Sequence, residues 1–177
     1  MFQKLSIVAL VLGVGCSLTA AGGDSLVRFK GGIGVLPLSA AAGVANADGT
    51  SSSVTRNVVR GVNPPGQIWV IADLKAEVSV DGHIRVNGKG LLLGGGNAIG
   101  FNGGQSVFAT LICEAAAPFT LHNTTLTGVP LEQNGDFAID DVLTPVPADC
   151  PSPVLLIRNV AGAWFASGIP VFDKHHD

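Results

Sequence analysis

Apolar and polar residues alternate most regularly between positions 68 and 91. Ile68, Val70, Ala72, Leu74, Ala76, Val78 and Val80 fill the even positions of residues 68–80, while Asp73, Lys75, Glu77 and Ser79 hold the odd positions from 73 onward. A period of two sustained over about ten residues marks a strand with one face in a core and the other in water. Residues 68–80 therefore read as one long strand, with Trp69 and Ile71 on the face opposite the core row. Either a second layer covers that end, or it exposes an apolar patch to a partner. Asp81-Gly82 then turns the chain into residues 83–91, with Ile84 and Val86 on the core side and His83 on the wet face beside Ser79. A two-residue turn would set apolar residues opposite polar ones throughout. A three-residue loop with Gly82 left-handed instead pairs Ser79 with His83, Glu77 with Arg85 and Asp73 with Lys89, and opposite charges across strands are favourable.

Similar signals recur along the chain. Residues 25–30 alternate, 54–62 suggest a strand closed by the turn Asn63-Pro64-Pro65-Gly66, and 106–113 are mostly apolar, as in a central strand. Residues 118–126 form another candidate. Residues 129–132 and 136–143 flank Asn134-Gly135 as a second hairpin, and 154–158 and 163–166 end the series. Residues 39–53, small and polar, read as a flexible loop, and 173–177 as a polar tail. No 3.6-residue periodicity is sustained, so strands spaced by turn signals predict an all-β fold. The expected form is an antiparallel β-sandwich, Ig-like or Greek-key, with a barrel as the alternative.

The N-terminus has a different logic. Lys4 precedes an uncharged apolar run over 5–14 and a small-residue exit ending Thr19-Ala20-Ala21, the layout of a secretory signal. The run is shorter than the roughly 20 residues a membrane-spanning helix needs. Cleavage after Ala21 divides the chain into a signal, 1–21, and one domain, 22–177. The alternative uses Cys16, which ends a loose lipobox (Leu12-Gly13-Val14-Gly15-Cys16) and would carry lipid. The protein is thus expected to be secreted or periplasmic, or else a membrane-anchored lipoprotein. Cys113 and Cys150 remain after processing, and an even count in an exported chain reads as a disulfide.

Composition narrows the functions. The net charge is −3 with no basic cluster in the linear sequence, so nucleic acid is not an expected partner. Charged residues make up 13%, about half the usual roughly 25%, which with abundant glycine fits a compact extracellular β domain. No Gly-x-Ser-x-Gly, Ser-x-x-Lys, phosphate loop, His-Glu-x-x-His or EF-hand occurs, so no motif names a catalytic residue, metal or cofactor. Gly94-Gly95-Gly96 reads as a turn. Asp140 and Asp141 are neighbours on a strand and point to opposite faces. A ligand patch would draw on separated residues: Trp69 and Trp164 as sugar platforms, or His122, Asp136 and Asp140, joined by Glu132, as a dispersed polar site.

Three segments, Arg28-Phe-Lys-Gly-Gly-Ile-Gly-Val35, Gly66-Gln-Ile-Trp-Val-Ile-Ala-Asp-Leu74 and Ala163-Trp-Phe-Ala166, together with residues 105–111 and 134–137, resemble small secreted bacterial all-β proteins with no assigned activity. The resemblance implies export and an all-β fold, and carries no catalytic residue. The leading expectation is a non-catalytic exported β domain that binds a protein or glycan or serves structurally, with membrane contact only through lipid on Cys16. The alternatives are a small extracellular enzyme and a carbohydrate-binding module.

Overall fold

The computed structural model describes residues 24–40, 46–48 and 54–172. The expected signal segment 1–21 with Cys16, most of the expected loop 39–53 and the expected tail 173–177 lie outside them. Thirteen strands carry the described chain: β1 Ser25–Gly34, β2 Leu38–Ala40, β3 Val54–Arg56, β4 Trp69–Val70, β5 Asp73–Ser79, β6 His83–Lys89, β7 Leu92–Leu93, β8 Ser106–Ile112, β9 His122–Asn123, β10 Val129–Pro130, β11 Phe137–Val142, β12 Val154–Asn159 and β13 Trp164–Pro170. Among the described residues there is no helix.

Nine strands make one antiparallel sheet in the order β10-β8-β12-β13-β1-β5-β6-β11, with β9 also paired to β8. The sheet curls until its ends meet. Asn123 N donates to Thr144 O (3.0 Å) and Thr144 N to Asn123 O (2.8 Å), joining the β9 side to the residues that follow β11. The all-β antiparallel expectation thus takes the form of its barrel alternative, a nearly closed barrel-like sheet, not two stacked layers. The reason is non-local: β1 pairs with β5 on one side and β13 on the other, tying the two halves into one sheet.

Alternation builds the wall. Leu74, Ala76 and Val78 of β5, Ile84 and Val86 of β6, and Phe137 and Ile139 of β11 are buried, with exposed residues between them. The β5–β6 hairpin has the register its charges require: Asp73 opposite Lys89 and Glu77 opposite Arg85. Gly82, at φ +83, supplies the left-handed turn residue. β8 and β12 depart from alternation because both their faces are covered: Val107 to Ile112 and Leu155 to Ile157 are all buried.

Several elements are shorter than the sequence suggests. The expected strand over 54–62 survives only as β3, which pairs with β2 in a small ribbon. Of 118–126 only β9 is strand. The Asn134-Gly135 turn forms, with Gly135 at φ +81, but β10 pairs with β8 rather than laddering with β11. Cys113 and Cys150 form a disulfide, 37 residues apart in sequence. It fastens the end of β8 to the segment entering β12, where Arg60 also donates to Ile112 O, Ser152 O and Ser152 Oγ.

Candidate functional site

The expected single strand over 68–80 breaks at Ile71 and Ala72, between β4 and β5. The break changes the phase of the alternation. Trp69, assigned by parity to the outside, turns inward and stacks on Phe165 with ring centroids 4.0 Å apart and planes 12° from parallel. Ile68 and Val70, assigned to the core, turn outward and are 37% and 48% exposed. Alternation could not forecast this, because residues 68–71 are all apolar and four apolar residues in a row carry no period.

The outward turn creates a continuous surface. Trp69 N donates to Val35 O, β4 pairs with β7, Gly94 N donates to Ile68 O, and Leu93 exchanges backbone bonds with Gly100 and Phe101. Segments 34–36, 68–70, 92–94 and 100–101 therefore lie side by side at one end of the molecule. Leu36 and Leu38 are exposed there, as are Ile99 and Phe101 at 62% and 64%. Residues 31–38, 61–72 and 90–113 contain no Asp, Glu, Lys or Arg. A groove of about 620 Å³ runs beside Leu36, Leu38 and Ile68, and Arg56 is its only charged lining residue among those described. That guanidinium donates to Pro64 O at 3.0 Å.

The residues singled out from sequence are scattered. Trp164 is buried and donates its indole N–H to Asn57 O at 3.0 Å. With Trp69 also buried, neither tryptophan offers a face to a glycan. His122 is buried with Nδ1 against Pro145 O at 2.5 Å. Glu114 and Asp149 share its shallow pocket, but Glu114 accepts from Thr120 N at 3.2 Å. Hydrogen bonding to Thr120, by its side chain first and its backbone second, holds the Glu114 carboxyl below its ordinary range. Asp136 accepts from Gly90 N at 3.0 Å and fixes the turn after β6. Glu132 sits exposed on the 132–136 turn. No group of three His, Cys, Asp or Glu side chains suited to a metal occurs among the described residues.

Asp140 and Asp141 do point apart. Asp141 accepts from Thr125 N at 2.8 Å, the main cause of its lowered pKa. Asp140 makes an arrangement that sequence reading missed. Its Oδ1 lies 2.6 Å from His83 Nε2, and its Oδ2 accepts from Arg85 Nε at 3.3 Å. These bonds, His83 first and Arg85 second, hold its carboxyl below the usual aspartate range. His83 is thus half-buried and engaged, not a bare strand residue. The signal was unreadable because it needs the β6–β11 register, in which Arg85 faces Asp140 and His83 faces Val142. Ser79 lies nearest to His83 on the β5 side, yet no side-chain hydrogen bond joins them among the described residues.

No family model, curated protein or solved structure matches this chain.

Proposed function

We propose that the protein is an exported, non-catalytic β-barrel domain that acts by binding at the cell envelope, and that its uncharged end receives a protein partner. One observation carries the reading: backbone bonds gather the charge-free segments 31–38, 61–72 and 90–105 at one end, where large apolar side chains face outward. Interface centres are depleted of charge and enriched in apolar and aromatic residues, and a patch of this kind on a small domain marks interaction. Export is supported by the cation, apolar run and small-residue exit of residues 4–21. The Cys113–Cys150 bridge is compatible with an oxidising compartment.

The reading is tested in cells with a photo-crosslinking amino acid at Phe101 or Ile68, and at exposed Asp81, at the far tip of the β5–β6 hairpin, as the remote position. Positions 101 and 68 are expected to trap a discrete protein adduct that position 81 does not. Identical adducts from all three, or none from any, would refute the surface assignment. Mass spectrometry of the mature N-terminus tests the compartment separately. Gly22 first indicates release, and a lipid-bearing Cys16 indicates tethering. An intact Met1 on protein recovered from the cytoplasm would refute export.

A further inference from the structure

A second surface, independent of the uncharged end, lies on the outer wall. Arg28 and Lys30 of β1, Lys75 and Glu77 of β5, and Arg85 and Asn87 of β6 line an open groove of about 720 Å³. The four cations among them belong to a chain with only ten Lys and Arg and a net charge of −3. No linear cluster announces them, since three strands contribute.

Register explains why this groove differs from an ordinary solvated wall. Arg28, Glu77, Arg85 and Asp140 form one cross-strand row in which charge alternates. Every cation in it has an acid opposite. The adjacent row runs Lys30, Lys75, Asn87, and here two ammonium groups face each other. Directly opposed side chains have Cβ atoms about 5 Å apart, and like charges so placed destabilise a sheet. Asp73 reaches Lys75 only at 3.9 Å, with both side chains largely in solvent. Among the described residues no carboxylate meets Lys30. The row therefore holds three donor side chains and a positive pair whose one acid, Asp73, is distant and on Lys75 alone, with Arg28 and Arg85 two positions away on the outer strands.

We infer that this groove binds a chain of tetrahedral oxyanions, phosphate or sulfate in type. One anionic group settles between Lys30, Lys75 and Asn87 and removes their mutual repulsion. A neighbouring group along the chain is met by Arg28 and Arg85, about 7 Å away along the strands. Arg85 gives its Nε to Asp140, which uses one of the five guanidinium donors. Two features favour a chain over a lone ion. The groove far exceeds the volume of one phosphate, and its cations spread across three strands, about 10 Å in breadth. Donors arriving from three strands also suit a tetrahedral group better than a planar carboxylate, which offers two oxygens.

The test is titration calorimetry of the purified, oxidised protein with long-chain polyphosphate, dextran sulfate and polygalacturonate. Binding of polyphosphate or dextran sulfate is expected, and the comparison between them identifies the anion. Polygalacturonate should bind more weakly than the better of the two. Lys30→Gln/Lys75→Gln should weaken binding about tenfold, the scale of two exposed charge pairs. Gln133→Glu/Ala115→Glu, exposed substitutions with the same change in net charge, should leave it within about twofold. Glu77→Gln, which removes the acid from the groove, should strengthen binding several-fold, and this gain cannot arise from misfolding. The inference is overturned if the wild type binds neither polymer, if polygalacturonate binds equally well, if the two double variants lose affinity alike, or if Glu77→Gln brings no gain.

Discussion

Gly88 is the position where one methyl group asks most of the barrel. It pairs with Phe137 across β6 and β11, and a Cβ built on it would lie 2.1 and 2.2 Å from Cε1 and Cζ of the Phe137 ring. Its backbone is not in the positive-φ region, so alanine would bring no conformational strain. In a strand interior alanine is ordinarily better than glycine by about 0.5–1 kcal/mol. Gly88→Ala should nonetheless destabilise, because the ring, only 5% exposed, must leave its place in the core. Overpacking of this kind costs about 1–3 kcal/mol, and a net loss of about 2 kcal/mol is expected. With a urea m-value near 2 kcal/mol/M, the unfolding midpoint should fall by about 1 M, monitored by tryptophan fluorescence and far-UV circular dichroism. The decisive measurement repeats the substitution in a Phe137→Ala background. That background should itself lose about 3–5 kcal/mol, but Gly88→Ala within it should be neutral or stabilising by about 0.5–1 kcal/mol. If Gly88→Ala costs the same in both backgrounds, the ring is not the reason for the glycine.

Reducing the Cys113–Cys150 bridge releases a loop of 37 residues and should cost about 4 kcal/mol on the chain-entropy account; urea midpoints with and without reductant measure it, and equal midpoints would contradict it. Arg60 adopts φ +47 while donating to Ile112 O and Ser152. Arg60→Ala should therefore lose about 2–3 kcal/mol, and Arg60→Gly about 1 kcal/mol less, because glycine relieves the left-handed backbone. The reverse order in chemical denaturation would refute that assignment. Asp140 has a folded pKa below its unfolded one. Its contribution is therefore complete above the unfolded value of about 3.9 and is lost as pH falls through the folded value. Carboxyl NMR should place the Asp140 midpoint below that of a free aspartate, and His83→Gln should raise it more than Arg85→Gln does. An Asp140 midpoint indifferent to His83 would contradict the assignment.

The parts of this fold that can be read from the chain are those encoded locally. The β5–β6 hairpin is legible down to its register, because a turn glycine and two charge pairs all favour the same alignment. The break before β5 is illegible because Ile68, Trp69, Val70 and Ile71 satisfy either phase. What decides between them is the stacking of Trp69 on Phe165, a partner 96 positions further along the chain. Barrel closure is hidden for the same reason: β1 meets β13, and Asn123 meets Thr144, only once the sheet has curled. Both proposed surfaces inherit this property. The uncharged end needs the phase change, and the Lys30–Lys75 row needs a pairing between strands some forty residues apart in sequence, so composition could describe neither.

The disulfide has a consequence beyond its thermodynamic contribution. Residues 114–149 form a covalent ring that contains β9, β10, β11 and both residues of the closing seam, Asn123 and Thr144. A single cut inside the ring therefore opens a strand without dividing the molecule, since Cys113 and Cys150 still hold the two pieces together. The ring also contains no lysine or arginine, which leaves a trypsin-like protease nothing to cleave there even when the seam opens. Where a protease does cut there, damage in this third of the barrel is a nick and not a loss.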